Sequence, residues 1–570
     1  MTTPLGAGGQ AASGRTAGPQ AASEKAATAP SDEAQTASLA RTSGVMALGT
    51  IASRATGMLR TIVIAAAIGS GTLADAYNIP NAAPNAVYDL LLGGILTSVV
   101  VPLLVKAVKD DAEAGEAYAQ RLLTLVAVLL GAATIVAVVF APVVVDIYGG
   151  FTGASRTLAI TFARYFLPQI FFYGLSAVIG AILNTRNRFA APMWVPVLNN
   201  LVLIVTGAIF IATTHGHPTT LTSGQTMLLG IGTTAGVVVQ TVALWPSLRA
   251  SGFRFRPRFD WRGTGLGAAG RLGGWVLVYV AVNQVGFAVI TQLGRAAGAS
   301  ASNDKIGHGD TFSAYSYAYQ LFQLPYAIVA VSVITALLPR MSAHAVDGRF
   351  GALRSDLSTG LRMTAVAVVP ATIGLIVLAP QMTQLVFRHH VQPADARYIA
   401  WVIVAFAIGL VPFCVFQLLL RAFYALHDTR TPALINIVAT AANIVADLVL
   451  YLALPVGWRA FGLALGFSAS YWLASMMTAR AVGRRLHGID GHRVVRTYVR
   501  LATASVISGL VALGLVRLSI TALGDGVAGN VVALVAGGGI GAALLLTLAS
   551  RMRIAEATYL ARAVRSRLGG

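Results

Sequence analysis

DAYNIPNAAPNAVYDLLLGG, Asp75–Gly94, places two carboxylates, three asparagines and two prolines at the start of an apolar run. Pro80 and Pro84 each remove a backbone donor and disfavour helical geometry at the residue before them. Polar, irregular backbone at membrane depth is tolerated where it is buried in protein or lines water. The segment is therefore expected to wall an internal cleft, with Asn78, Asn81 and Asn85 satisfying freed backbone groups or touching a ligand. Asp75 falls near the mouth of the segment, where helix capping is the competing role.

The surroundings fix the class. The chain has 570 residues, 56% of them hydrophobic and only 11% charged, against roughly 25% charged residues in an ordinary soluble domain. Apolar runs of about 20 residues, each long enough to cross the ~30 Å hydrocarbon core, recur between residues 42 and 550. About fourteen are expected, which makes the fold an all-α polytopic membrane protein. The net charge of +20 sits in short connections between the runs instead of in one basic domain, which excludes a nucleic-acid binder. The connections alternate between arginine-rich and arginine-poor, such as RFRPRFDWR against HGHPTTLTSG. That pattern predicts both termini on the cytoplasmic side of the membrane. Cys414 is the single cysteine, so no intrachain disulfide framework and no thiolate metal cluster can form.

The organisation reads as a disordered tail over 1–38, an N-terminal lobe over 39–249 and a cytoplasmic linker over 250–267. A second lobe over 268–485, two further helices over 486–550 and a basic tail over 551–570 follow. Two motif pairs support a duplication. ILTSVVVPLL, with Pro102, is echoed by SVITALLPRM, with Pro339, and NTRNRFAAP, with Pro192, by ALHDTRTP, with Pro432. Two six-span halves are in the same orientation because six is even, the plan of an alternating-access transporter.

A charge in the middle of a membrane helix costs roughly 2.5–3.5 kcal/mol on insertion scales, so such residues are candidates for function. SRATGMLR carries Arg54 and Arg60 on either side of Gly57. Six residues turn a straight helix so that the two side chains point about 120° apart; a bend at Gly57 or the reach of arginine would let both enter one cavity. Arginine binds phosphate through a planar fork and keeps its charge, so the pair points to an anionic substrate such as a phosphate or diphosphate. The alternative is a structural ion pair of Arg54 with Asp75 or Asp89. Asn283 and Gln320 are further polar candidates for the cleft. Asp447 with Asn443 is the candidate site for a coupling cation or proton. No nucleotide-binding loop, HExxH or paired-cysteine motif is present, so neither enzymatic activity nor a resident cofactor is expected, and the membrane potential is the other candidate driving force.

SRATGMLR, then GSGTLADAYNIPNAAPN and LTSVVVP, together resemble the opening of the MurJ/MviN family of the multidrug/oligosaccharidyl-lipid/polysaccharide exporter superfamily. The resemblance continues through GAILNTRNRFAAPMWVPVLNN, QLPYAIVAVSVITALLPRMS and RAFYALHDTRTP, over about residues 42–485. It implies two pseudo-symmetric six-helix lobes around a central cationic cavity, plus two C-terminal helices forming a groove for a lipid tail. It also implies a substrate, lipid II, the undecaprenyl-diphosphate-linked disaccharide pentapeptide, moved from the inner to the outer leaflet. Membrane lipids and cell-wall synthesis and division proteins are the implied partners. Arg54 and Arg60 fall on the family's cavity arginines and Asp75 on its acidic position. The sequence departs from the family where Tyr88 and Asp89 replace an arginine pair and where Tyr319 and Gln320 replace Asp-Arg. Either Arg54 and Arg60 then bear more of the diphosphate binding, or Arg271, Arg295 or another arginine substitutes. The competing readings are export of another polyprenyl-linked saccharide or a drug, and a non-transporting cell-wall scaffold.

Overall fold

The computed structural model describes residues 32–69, 72–90, 112–149, 151–186, 188, 190–214, 220–260, 266–303, 312–387, 392–426 and 428–552. Among them there is no β-strand. The helices are α1 Asp32–Ile68, α2 Thr72–Leu90, α3 Ala112–Val139, α4 Ala141–Gly149, α5 Gly153–Phe166, α6 Gln169–Thr185, α7 Ala190–Thr213, α8 Ser223–Val242 and α9 Leu244–Ala250. They are followed by α10 Leu266–Asn303, α11 Phe312–Pro325, α12 Val331–Val346, α13 Phe350–Phe387, α14 Pro393–Ile408, α15 Leu410–Ala425, α16 Arg430–Ala453, α17 Arg459–Arg485, α18 Gly491–Leu523 and α19 Val527–Arg551. One π-helical turn, Tyr326–Ala330, joins α11 to α12. It follows Pro325, whose missing donor frees a carbonyl and lets the helix widen there.

Eleven helical segments of the described residues are long and apolar enough to cross a membrane, and α14 with α15, bent by 46°, makes up to twelve. The second expected run is described only as far as Leu90, and Pro102 lies outside the described residues. The helix α1 starts at Asp32, inside the stretch expected to be an irregular tail. The alanines of that stretch favour the helix.

The two junctions that looked alike in sequence also turn alike. After α6 the amide of Arg188 donates to Leu183 O at 2.9 Å, and after α15 the amide of Asp428 donates to Phe423 O at 2.9 Å. Both donor and acceptor are displaced by the same 240 residues that separate Pro192 from Pro432.

The core is apolar and rich in aromatic rings. Phe322 packs on Phe406 (centroids 5.3 Å apart), Phe406 on Phe467 (5.2 Å) and Phe467 on Tyr471 (4.6 Å), which locks α11, α14 and α17 together. Outward faces carry exposed Val, Ile and Leu, for example Ile135, Leu452 and Leu510. That is the arrangement expected where lipid, not water, is the surrounding solvent.

Candidate functional site

Packing of α1 against α7 positions the first functional side chains. Gly57 has no side chain, so Asn200 of α7 comes close, and a Cβ at Gly57 would lie 3.4 Å from Asn200 Nδ2. That amide donates to Ser53 O and to Thr56 Oγ1, both at 3.0 Å. The helix α1 is continuous through Gly57. On the adjoining faces of α1, Arg54 and Arg60 both line a cavity of about 310 Å³. The arc of the cavity, and not a break in the helix, accommodates their angular separation.

Other walls of the cavity come from α2, α6, α7, α8 and α11. They contribute Asn85, Tyr173, Asn200, Gln240, Gln320 and Gln323, and among the described side chains no Asp or Glu lines it. Tyr173 donates to Asn85 Oδ1 (3.1 Å), while Asn85 Nδ2 donates to Asn81 O (2.6 Å). Both ends of the Asn85 amide are thus held in the proline-rich turn of α2. Thr61 Oγ1 of α1 donates to Gln320 Oε1 of α11 at 2.5 Å. Neither Arg54 nor Arg60 forms an ion pair among the described residues. The net chemistry is two fixed cations among neutral amides and hydroxyls, which suits a multivalent anion.

Asp75 and Asn78 lie outside that lining, at an interhelical latch. Asp75 is 2% exposed. Its Oδ1 accepts from Ser313 N (2.8 Å) and Ser313 Oγ (2.5 Å), which caps the first turn of α11 from another helix. Asn78 Nδ2 donates to Ser313 Oγ at 3.2 Å, and Tyr317 OH donates to Gly69 O at 2.7 Å. Arg295 of α10 approaches Asp75 Oδ2 at 3.9 Å and lies 3.8 Å from the centroid of the Phe151 ring. Asp75 is thus committed to Ser313 and Arg295 and not to Arg54.

Three other predicted residues sit in the C-terminal part of the chain. Asn283 Oδ1 accepts from Asn436 Nδ2 at 3.1 Å, between α10 and α16. Asn443 Nδ2 donates to Asp447 Oδ2 at 2.9 Å, whereas Asp447 Oδ1 is buried without a partner. Asp447 is fully buried, and Gly466 of α17 packs so close that a Cβ there would collide with that free oxygen. Among the described residues no three His, Cys, Asp or Glu side chains converge as a metal site. The side chains of Tyr88, Asp89 and Arg271 lie outside the described residues.

Arg421, not among the residues expected to form the site, belongs to α15. Its guanidinium lies 5.5 Å from the Tyr424 ring centroid and its Nε is buried without a partner. Tyr326, in the π-helical turn, interacts with Arg421 by a hydrogen bond and electrostatically with Arg54. The available signal was the unbroken apolar run LLLRAFYAL, which carries the helix past the arginine.

A many-spanned helical membrane protein with an internal arginine-lined cavity is the class defined by these features, and its fold is shared by solved transporters. A multidrug resistance MATE family transporter of the MOP superfamily, inward-facing, has a TM-score of 0.61 at 15% identity, covering 78% of this chain and 99% of its own. Lipid II flippase MurJ in an inward closed conformation has a TM-score of 0.69 at 20% identity, covering 89% of this chain and 98% of its own. The family model described as "Lipid II flippase MurJ" matches residues 64–552, and the chain belongs to that family. The probable lipid II flippase MurJ of Haemophilus influenzae is 28% identical over 444 residues, 74% of this chain and 82% of its own. Lipid II flippase MurJ of Burkholderia cenocepacia is 28% identical over 470 residues, 81% and 87% respectively.

Proposed function

We propose that this protein moves lipid II from the inner to the outer leaflet of a bacterial inner membrane by alternating access. The observation that carries the reading is the pairing of Arg54 and Arg60 in one cavity that no carboxylate lines among the described side chains. Their forks hold the diphosphate, and Asn85, Gln320 and Gln323 face the sugar and peptide. The polyprenyl tail stays in lipid. A cationic drug would meet repulsion in the same cavity, which disfavours the drug-export reading. Family membership and the curated relatives support the substrate class.

Fourteen spans in two six-helix lobes plus two C-terminal helices fit the helices described and the repeated junction turn. The arginine-rich ends face the cytoplasm by the positive-inside rule. The Asp75–Ser313 latch is then an outer gate, closed while the cavity waits for substrate from the inner leaflet. No covalent bond changes, so the work comes from differential binding and from a gradient. Asp447 Oδ1, buried and unpartnered beside Asn443, is the proposed coupling site for a cation or proton. Cell-wall synthesis and division proteins are the proposed protein partners.

Depletion of the native protein from cells lacking any other flippase, with Arg54→Ala or Arg60→Ala supplied in its place, tests the reading. Lipid II is expected to accumulate in the inner leaflet although the variants still insert. An unchanged leaflet distribution on depletion itself sinks the transport reading.

A further inference from the structure

Residues 253–260, FRFRPRFD, leave α9 and run extended along the first turns of α3. Gln120 Nε2 donates to Arg254 O at 2.6 Å, Arg258 N to Thr124 Oγ1 at 3.1 Å and Arg258 Nε to Gln120 Oε1 at 2.9 Å. Arg121 Nε closes the far end on Asp260 Oδ2 at 3.0 Å. Extended backbone alternates its side chains. Phe253 is accordingly 2% exposed, with the Arg186 guanidinium 5.3 Å from its ring, and Phe255 meets Trp245 edge-on at 6.1 Å. Arg254 and Arg256 point the other way and are exposed, as is Arg249 beside Trp245. Phe259 is 66% exposed.

We propose that this strap is a docking strip for anionic phospholipid headgroups, with Arg254 and Arg256 binding phosphates and Phe259 seated among the acyl ends. Three observations carry it. The described acidic side chains on the packed elements are already engaged, Glu116 by the Arg254 amide and Asp260 by Arg121, so among the described residues the outward guanidiniums face no internal counter-charge. The main-chain groups of Arg254 and the amide of Arg258 are spent on α3, and Pro257 has no amide to donate from the opposite edge, so the strap is a poor template for an added strand and its side chains are the binding groups. The strip also lies level with the ends of α6 and α9, where Arg186 Nη1 donates to Ser251 O at 2.9 Å. That is the depth at which tryptophan, phenylalanine and arginine meet headgroups. The inference goes beyond the transport reading and does not depend on which lipid-linked substrate is carried.

The test uses the full chain purified in detergent, with phosphatidylglycerol and phosphatidylcholine as competing probes and retained lipid counted by native mass spectrometry. Wild type is expected to prefer phosphatidylglycerol, and R254Q/R256Q to lose about fivefold of that preference per arginine, the fold-change corresponding to ~1 kcal/mol per basic residue at a membrane surface. An R562Q/R565Q control makes the same charge change in the C-terminal tail and is expected to keep the preference. Equal retention of the two lipids by wild type, or equal losses in both double variants, overturns the proposal. A photo-reactive residue in place of Phe259 should cross-link to lipid in nanodiscs; cross-links confined to protein overturn it as well.

Discussion

Asp75 on α2 and Ser313 on α11 are joined twice through one carboxylate oxygen, from the serine amide and from its hydroxyl. A helix N-terminus is thereby capped by a side chain from more than two hundred residues earlier in the chain. Asn78 and the Tyr317–Gly69 bond close around the same point. Each bond to a charged acceptor contributes about 1.5–3 kcal/mol. Asp75→Ala leaves the start of α11 uncapped and Arg295 with only the Phe151 ring, so this end should open. A cysteine placed at Asn78 should become reactive to a membrane-impermeant maleimide in Asp75→Ala and stay protected in Asp75→Asn, which keeps an acceptor. Equal protection in both would show that the latch does not hold this end closed.

Gly466 is the position where α17 meets Asp447, and any Cβ there strikes the free carboxylate oxygen. Overpacking of this kind costs about 1–3 kcal/mol. Gly466→Ala should lower thermal stability by that amount and Asp447→Asn should not rescue it, because the amide occupies the same volume. If the unpartnered oxygen binds a coupling cation, Asp447→Asn should also make transport indifferent to that cation. Transport into vesicles, measured across a series of Na⁺ and proton gradients, reads the second effect separately from the first.

Arg421 of α15 lies behind the cavity wall, beside Tyr326 of the π-helical turn, whose neighbour Ala327 lines the cavity. Its Nε has no partner and its neighbour Tyr326 couples it to Arg54. Arg421→Gln should weaken lipid II binding by about fivefold, the ~1 kcal/mol of the hydrogen bond that positions Tyr326 and not a contact with the substrate. Arg421→Lys should recover only part of it, since lysine lacks the planar fork. Binding of lipid II to the purified variants checks the order wild type, Lys, Gln.

Residue chemistry alone revealed much of the wall. The prolines and asparagines of Asp75–Gly94 pointed to a cleft wall and Arg54 and Arg60 to a shared cavity, and both arginines and Asn85 line one cavity. What stayed hidden depended on distant partners. Asp75 looked like a local cap or a mate for Arg54, but its acceptor role is set by α11, and nothing near it in sequence points to Ser313. Arg421 was hidden for a different reason. A basic residue four positions before a polar junction reads equally well as loop or helix, and only packing against the Pro325 π-helical turn decides between them. The strap over 253–260 has no helical or strand partner in sequence, because its hydrogen bonds run to α3 more than a hundred residues earlier.

The Arg121–Asp260 contact gives the last prediction. Hydrogen bonding to Arg121 holds the Asp260 carboxyl below the ordinary carboxylate range. A depressed pKa means that the contact's contribution is present above the unfolded value and is lost only as pH falls through the folded one. The strap should therefore stay fastened throughout the neutral range and loosen only in acid. Asp260→Asn mimics the protonated state at neutral pH and should free the end of the strap while leaving the Gln120 and Thr124 bonds. Trypsin needs an extended, mobile chain, so cleavage after Arg258 should accelerate several-fold in Asp260→Asn and again in Asp260→Asn/Gln120→Ala, with wild type slow from pH 7 to 8. Wild-type cleavage as fast as that of the double variant would show that these side chains do not restrain the strap.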